Sequence, residues 1–167
     1  MRIVIVGCGR VGARLATSLS REGHIVGIVD NKNDSFQRRL SVDFRGTVVL
    51  GNGIDEDVLR RAGIEQADAF AAVTDDDNTN IMSSQMAQAI FHVKKVVCRI
   101  YDPMRNETYR LLGLQTVAPV LLAANKIRDL VLAPLPAESS SNRGAAGEGP
   151  SQTRPTDSTS RQKGENA

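Results

Sequence analysis

A glycine-rich segment directly after the first apolar run constrains the fold of this chain more than any other feature. Residues 3–6 read Ile-Val-Ile-Val, and the stretch GCGRVG follows at once: Gly7, Cys8, Gly9, Arg10, Val11 and Gly12. Between a strand and a helix, the first glycine permits a tight turn, the second lets the main chain approach a pyrophosphate, and the third allows close helix packing. The segment therefore predicts a βαβ unit whose first turn binds phosphates.

The rest of the chain alternates between two kinds of stretch. Six apolar runs have the composition of strands buried on both faces: 3–6, 25–29, 47–50, 69–73, 95–100 and 115–117. Amphipathic stretches typical of helices lie between and after them: 11–21, 35–40, 55–61, 79–91, 105–112 and 119–132. Because parallel neighbours need crossover connections, we predict an α/β fold with a Rossmann-like, doubly wound sheet of six parallel strands.

Composition changes sharply after Pro136. Residues 137–167 contain no Val, Ile, Leu, Met, Phe, Tyr or Trp, and their four basic residues balance four acidic ones. Such a segment buries too little apolar area to offset the entropy lost on ordering. We therefore predict a single domain at 1–118, a final helical segment at 119–136 and a disordered, low-complexity tail at 137–167.

Charge and cysteine content exclude several classes of protein. The net charge of +2 is too small to indicate a nucleic acid partner. Cys8 and Cys98 lie far apart in apolar sequence, and no Cys or His pair has metal-ligand spacing, so we expect no metal centre and a reducing, cytoplasmic location. No window reaches 18 apolar residues, so no membrane-spanning segment is predicted.

The end of the second strand carries an acidic residue in the position that contacts ribose in this fold. Asp30 follows Gly12 by 18 residues, and a carboxylate there accepts hydrogen bonds from the 2′- and 3′-hydroxyls of adenosine. It would repel a 2′-phosphate, which disfavours NADP. Asn31 and Lys32 follow as further candidate contacts; Lys32 either softens that exclusion or is a solvated surface residue.

The third strand is followed by Gly51-Asn52-Gly53, which admits two interpretations. At the carboxyl edge of the sheet this loop would place Asn52 near the adenine base. The same residues are also typical of a turn before a helix capped at Asp55. The residues alone favour neither interpretation.

Two more strand ends carry candidate residues. Thr74-Asp75-Asp76-Asp77-Asn78-Thr79-Asn80 follows the fourth strand, and its carboxylates favour helix capping over a divalent metal site. Arg99, near the end of the fifth strand, is placed to reach phosphates in the crevice, with a surface ion pair as the alternative. We include Thr74, Asp75, Asn80 and Arg99 among the candidate binding residues.

Three stretches together resemble one family. IVIVGCGRVGARLATSLSREGHIVGIVD, GNGIDEDVLRRAGIEQADAFAAVTDDDNTN and VVCRIYDP are similar to the nucleotide-binding domain of regulators of potassium conductance (RCK or KTN, TrkA N-terminal type) in Trk and Ktr uptake systems. The resemblance covers residues 1 to about 134. The motifs most specific to this family are the Asp57 to Asp68 segment, the acidic loop and the arginine at the end of the fifth strand.

The resemblance implies a regulatory subunit that binds ATP, ADP, AMP or NAD(H) and gates a membrane-embedded potassium transporter subunit from the inner face of the cell membrane. It implies that the glycine loop holds phosphates, Asp30 ribose, Asn52 and Gly53 adenine, and Arg99 the outer phosphates, with Thr74 and Asp75 bordering the nucleotide. It also implies that residues 120–132 pack on a neighbouring subunit, in a homo-oligomer (dimer or ring) or a hetero-oligomer with a related RCK protein.

The chain departs from the family pattern in two places. Gly51-Asn52-Gly53 stands where Gly-Asp-Ala is usual, which replaces a charged acceptor by an amide and changes the expected nucleotide preference. Many relatives continue into a second, C-terminal ligand domain, where this chain enters low-complexity sequence. We therefore expect no control by a ligand of that second domain.

Two other functions share the glycine loop: an NAD-dependent oxidoreductase, and an NADH or redox sensor with Cys8 as a reactive thiol. An oxidoreductase needs an acid or base beside the nicotinamide. His24, His92 and Cys8 have no partner at catalytic spacing, so we predict no catalytic residues and a regulator rather than an enzyme.

Overall fold

The computed structural model describes residues 1–133, and the predicted tail at 137–167 lies outside the described residues. Twelve regular elements and one short 3-10 turn alternate along the chain. They are β1 (Arg2–Val6), α1 (Arg10–Arg21), β2 (Ile25–Asp30), α2 (Asn33–Arg39), β3 (Thr47–Leu50), α3 (Glu56–Arg61), the 3-10 turn (Ile64–Gln66), β4 (Ala69–Ala72), α4 (Asp77–Ala89), β5 (Lys95–Arg99), α5 (Pro103–Leu111), β6 (Gln115–Val117) and α6 (Pro119–Leu132).

The six strands form one parallel sheet in the order β3-β2-β1-β4-β5-β6. The predicted α/β, Rossmann-like, doubly wound fold is therefore confirmed. The strand order reverses beside β1, where Val6 pairs with Val29 of β2 on one side and with Ala72 of β4 on the other. Ligands bind at this switch point in open α/β sheets.

Both faces of the sheet are buried at its central strands, as the apolar runs predict, whereas the edge strands β3 and β6 keep exposed residues such as Val48, Leu50 and Val117. Val4 and Val6 pack with Leu59 and Phe70 in one core, whereas Ile3 and Ile5 pack with Ala13, Ala16 and Phe36 in the other. Alternate residues of a strand point to opposite faces, so β1 supplies both cores. Each fully buried side chain of this size contributes about 1.5–3 kcal/mol, which fixes the strand ends in place.

Helix starts differ from the predicted ones because aspartates cap them. We predict helices at 79–91 and 105–112, whereas α4 and α5 begin two residues earlier, at Asp77 and Pro103. Asp76 accepts a hydrogen bond from the backbone N–H of Thr79, and Asp102 accepts from those of Met104 and Arg105. These carboxylates satisfy N–H groups that have no acceptor within the helix.

The last helix exposes apolar side chains. None of the fourteen residues of α6 is buried, and its large apolar residues are 41–76% exposed: Val120, Leu121, Leu122, Ile127, Leu130, Val131 and Leu132. No helix in the described part of the chain combines the length and the apolar character needed to cross a membrane.

Candidate nucleotide-binding crevice

A crevice of about 350 Å³ opens at the carboxyl ends of the strands, beside the switch point. All but three of the predicted binding residues line it: Gly7, Gly9, Arg10, Val11, Asp30, Asn31, Lys32, Gly51, Asn52, Gly53, Thr74, Asp75 and Arg99. Cys8, Gly12 and Asn80 are the exceptions. Five strand ends, distant in sequence, thus contribute to one cavity.

The glycine turn has the close contacts that its residue types predict. Gly7 adopts φ +104°, and its N–H donates to the carbonyl of Val29 at 2.8 Å. A β-carbon at Gly12 would lie 1.8 Å from the carbonyl oxygen of Gly7, so only glycine lets α1 start this close to the turn. A β-carbon at Gly9 would meet no protein atom within 4 Å, which leaves the main chain there open to a ligand.

The start of α1 differs from the starts of α3, α4 and α5. Asp55, Asp76 and Asp102 cap those three helices with their side chains, whereas α1 begins after Gly9 with no side-chain cap. The first N–H groups of a helix lack intrahelical acceptors and carry a partial positive charge. The start of α1 lines the crevice, so its backbone N–H groups fit a phosphate.

Asp30 links the second strand to the glycine turn. One carboxylate oxygen accepts from the backbone N–H of Cys8 at 2.7 Å, and the other accepts from that of Lys32 at 2.8 Å. An ionised carboxylate offers about four acceptor positions, so capacity remains for ribose hydroxyls. The side chain lines the crevice where the sequence predicts it.

Two of the predicted contact residues in the glycine loop, Cys8 and Gly12, do not line the crevice. Cys8 is fully buried, packs in the core with Ala13, Ala16 and Phe36, and donates its thiol to the carbonyl of Ser35 at 3.6 Å. Gly12 is also buried and serves the packing of α1 rather than the lining. Burial, followed by the Asp30 charge, raises the pKa of Cys8 to about 11, which argues against a reactive thiol.

The Gly51-Asn52-Gly53 loop forms the predicted turn before a capped helix and also lines the crevice. The side-chain oxygen of Asn52 accepts from the N–H of Ile54 at 3.2 Å, and Asp55 caps α3 through the N–H of Asp57 at 2.8 Å. The loop also lines the crevice, and a β-carbon at Gly53 would lie 2.2 Å from a methyl group of Val6. The turn and cap therefore hold the loop at the cavity.

The acidic loop is built by capping. Asp76 accepts from the N–H of Thr79 at 2.7 Å, and hydrogen bonds from Thr79, the side chain first, lower the pKa of Asp76. The carboxylate of Asp77 accepts from the N–H groups of Tyr101 and Asp102 at 2.9 and 3.1 Å. Among residues 1–133, no group of three or more His, Cys, Asp or Glu side chains is arranged to hold a metal ion.

Asn80 is a predicted contact residue that does not line the crevice. Its side chain is fully buried. Its Oδ1 accepts from the backbone N–H and the hydroxyl of Thr74 at 2.8 and 2.7 Å, and its Nδ2 donates to the carbonyls of Thr74 and Arg99 at 3.1 and 3.0 Å. All four of its hydrogen-bonding positions are used, and they join two strand ends that line the cavity.

Arg99 reaches the crevice without an ion pair. Its guanidinium donates to the carbonyl of Val73 at 3.1 Å and to the hydroxyl of Tyr101, and it stacks 4.1 Å from the centre of the Tyr101 ring. No carboxylate in the described residues forms a salt bridge with it, so the alternative of a surface ion pair is not found. Burial is the main factor that lowers the pKa of Arg99.

The sequence reasoning missed eight lining residues: Val6, Val29, Ser35, Arg39, Val73, Asp76, Thr79 and Tyr101. Tyr101 could be predicted from Arg99, because residues two apart at the end of a strand lie on the same side of the sheet. Arg39 ends α2, and nothing in its local sequence points to the crevice.

Comparisons with known proteins identify the family. Residues 3–119 match the TrkA-N domain model. The chain belongs to the TrkA-N family. The TrkA-N chain is 50% identical over 127 residues to the Trk system potassium uptake protein TrkA of Streptomyces coelicolor, an alignment that covers 76% of this chain and 56% of that protein. It therefore spans little more than half of that relative's length.

Two solved structures resemble the TrkA-N fold. The Kef C-terminal domain of Shewanella denitrificans in its AMP-bound form aligns with a TM-score of 0.67 and 22% identity, covering 79% of this chain and 81% of that one. The GsuK channel bound to NAD aligns with a TM-score of 0.65 and 25% identity, covering 78% of this chain and 23% of that one. The Kef likeness shows the fold alone.

Proposed function

We propose that this TrkA-N domain binds ATP, ADP, AMP or NAD(H) in its crevice and, as a regulatory subunit, controls a membrane-embedded potassium transporter subunit. The observation that carries the proposal is the uncapped start of α1, which lies in one cavity with Asp30 and Arg99. The Trk name of the S. coelicolor relative and the NAD bound to the GsuK channel support the same assignment.

Each part of the ligand has a fitting group in the crevice. The N–H groups of Arg10 and Val11 suit the first phosphate, and the free acceptor positions of Asp30 suit the ribose hydroxyls. The Asn52 loop suits adenine, and the Asn52 side-chain oxygen can accept from the adenine amine in place of an acidic group. Arg99 adds a positive charge for a further phosphate.

Regulation requires a ligand that favours one of two conformations. ATP and AMP differ in phosphate charge, and Arg99, one of four cationic residues that line the crevice, would sense that difference. The side chain of Asn80 donates to the carbonyls of both Arg99 and Thr74. A movement of Arg99 would therefore shift both strand ends and α4, which carries Asn80. A partner that contacts α4 or α6 would then read the nucleotide state.

The lining of the crevice favours a sensor over an oxidoreductase. Its residues include no histidine or cysteine, and its acids are Asp30, Asp75 and Asp76. Hydrogen bonds from Thr79 lower the pKa of Asp76, which favours its ionised form and opposes a proton-transfer role. The buried, high-pKa thiol of Cys8 likewise opposes a redox sensor based on that residue.

The exposed face of α6 supports assembly with a second copy or with a related RCK protein. Seven large apolar side chains on one helix, each more than a third exposed, form a surface that association would cover. The partner transporter would place the domain in the cytoplasm, at the inner face of the membrane.

Ligand binding is tested by calorimetry and thermal unfolding with ATP, ADP, AMP, NAD and NADH, because a ligand of the folded state raises the unfolding temperature. We expect binding of at least one of them, weakened for ATP more than for AMP by Arg99→Gln. Absorbance of NADH with candidate substrates should stay constant. Failure of all five ligands to bind would overturn the proposal.

Assembly is tested by analytical ultracentrifugation of Ile127→Glu. A charge on α6 should shift the chain towards the monomer, because it would have to be desolvated in an apolar interface. Met104→Glu is the matched control, since Met104 is an exposed apolar residue on α5. Equal behaviour of the two variants would contradict an interface on α6.

A further inference from the structure

Tyr101 lies beside Arg99 in the crevice, and its role rests on the proposed binding of nucleotides there. We propose that Tyr101 is a positioning residue that holds the Arg99 guanidinium at the phosphate end of the crevice and so makes the site distinguish ATP from AMP. Tyr101 lies outside the glycine loop and outside the residues assigned to the nucleotide above. The residue is 39% exposed and lines the cavity.

The contacts of Arg99 leave its charge available. Nη1 donates to the carbonyls of Val73 and Thr74 at 3.1 and 3.5 Å, and Nη2 donates to the Tyr101 hydroxyl. Each of these acceptors is neutral. Within the described residues, Nε is buried and has no hydrogen-bond partner. The second Nη2 hydrogen therefore remains for an anionic ligand, which would form the stronger, charge-assisted bond.

Tyr101 fixes the orientation of the guanidinium in two ways. Its ring stacks on the guanidinium, with Cζ of Arg99 4.1 Å from the ring centre. Its hydroxyl accepts from Nη2. Arginine loses considerable side-chain entropy when it is held in one orientation, so a residue that holds it before the ligand arrives raises affinity.

Tyr101 is itself held in place through its backbone N–H, which donates to the side-chain carboxylate of Asp77 at 2.9 Å. The N–H of Asp102 donates to the other oxygen of that carboxylate at 3.1 Å. Asp77 is the first residue of α4, and Asp102 caps α5. The Arg99–Tyr101 pair is thus fixed between the starts of two helices, as a preorganised site requires.

The effect should depend on the number of phosphates. The backbone N–H groups at the start of α1 suffice for the single phosphate of AMP. The outer phosphates of ATP carry more charge and need a positively charged side chain such as Arg99. Removal of Tyr101 should therefore weaken ATP and leave AMP nearly unchanged.

The test is calorimetric titration of the full chain and its variants with ATP and with AMP. We expect Tyr101→Ala to lower ATP affinity about five- to tenfold and AMP affinity less than about twofold. Tyr101→Phe keeps the ring and loses the hydroxyl, so its ATP affinity should fall between those of Tyr101→Ala and the unaltered chain. Tyr109→Phe is the matched control, because it changes the other tyrosine, which lies outside the crevice.

A double-mutant cycle separates positioning from a structural role. In an Arg99→Gln background, Tyr101→Ala should cause no further loss of ATP affinity. Equal loss of ATP and AMP in Tyr101→Ala, or an undiminished effect in the Arg99→Gln background, would overturn the inference. If Tyr101→Ala unfolds, Tyr101→Phe carries the same comparison. Absence of binding by the unaltered chain would instead overturn the proposed function.

Discussion

The carboxylate of Asp30 and the backbone N–H of Cys8 lie 2.7 Å apart, which ties the end of β2 to the glycine turn. The same carboxylate also accepts from the N–H of Lys32 at 2.8 Å and so holds the start of α2. One side chain therefore fixes the shape of the crevice and presents its remaining acceptor positions to the cavity. A change at Asp30 should affect both binding and stability.

Asp30→Ala should weaken AMP, ADP and ATP alike. Loss of charged hydrogen bonds to the ribose should reduce the binding free energy by about 1–3 kcal/mol for each ligand. The free energy of unfolding should also fall, because the N–H groups of Cys8 and Lys32 lose their acceptor. Calorimetry measures the first effect and urea unfolding the second.

Asp43→Ala is the control for that experiment. Asp43 is an exposed carboxylate, 61% accessible, that pairs with Arg21 on the surface. Such pairs contribute little to stability, so affinity and stability should stay close to those of the unaltered chain. Unchanged nucleotide affinity in Asp30→Ala would remove Asp30 from the site.

Gly9 and Gly12 should respond in opposite ways to alanine. Gly12→Ala would place a β-carbon 1.8 Å from the carbonyl oxygen of Gly7, a backbone atom that cannot move aside, so we expect a loss of about 1–3 kcal/mol or more in unfolding free energy. Gly9→Ala meets no protein atom and should keep its stability. Its methyl group would instead occupy the open approach to the main chain and weaken nucleotide binding.

The two glycine variants control for each other in one pair of measurements. In chemical unfolding, only Gly12→Ala should have a lower free energy of unfolding than the unaltered chain. In calorimetry with AMP, Gly9→Ala should bind more weakly than the unaltered chain. Full nucleotide affinity in Gly9→Ala would show that the phosphate does not approach this part of the turn.

The sequence predicts the features of this fold that depend on local pattern. Continuous apolar runs located all six strands, and the spacing of Gly7 and Gly12 indicated the strand-to-helix turn. The direction of side chains within the glycine loop and the acidic loop was harder to predict from the sequence. Cys8 and Asn80 lie beside lining residues in sequence, yet both point into the protein, because core packing and a hydrogen-bond network set their orientation.

Residues that reach the crevice from other elements were harder still to predict. Arg39 lies at the end of α2 and lines the cavity because of the way that helix packs on the sheet. The periodicity of the local sequence does not predict this packing. The cap positions were predictable in kind, since Asp favours them, but the helix starts moved by two residues because Asp76 and Asp102 act as the caps.

Asn80→Ala should destabilise the domain and weaken ligand binding together. It removes four hydrogen bonds and leaves buried groups of Thr74 and Arg99 without partners, so we expect a loss of about 2–4 kcal/mol in unfolding free energy. Asn78→Ala is the control, because Asn78 is exposed on the same helix and accepts only from Arg105. Equal unfolding free energies in the two variants would contradict the positioning role of Asn80.

Cys8 should make the stability of the domain fall at alkaline pH. Its pKa is raised from 9.0 to about 11 in the folded chain, so between these values the unfolded thiol releases a proton that the folded thiol retains. The unfolded state then binds fewer protons, and stability falls as pH rises. A shift of this size corresponds to a loss of about 2–3 kcal/mol across the window.

Guanidinium unfolding at a series of pH values, under reducing conditions, measures this decline. Cys8→Ala lacks the titrating group and should show a shallower fall above pH 9.0, although the smaller side chain lowers its stability at every pH. A residual decline is expected because burial also raises the pKa of Cys98. Identical slopes in the two chains would contradict this prediction. They would mean that the thiol of Cys8 ionises as readily in the folded state as in the unfolded state, although it is fully buried in the fold.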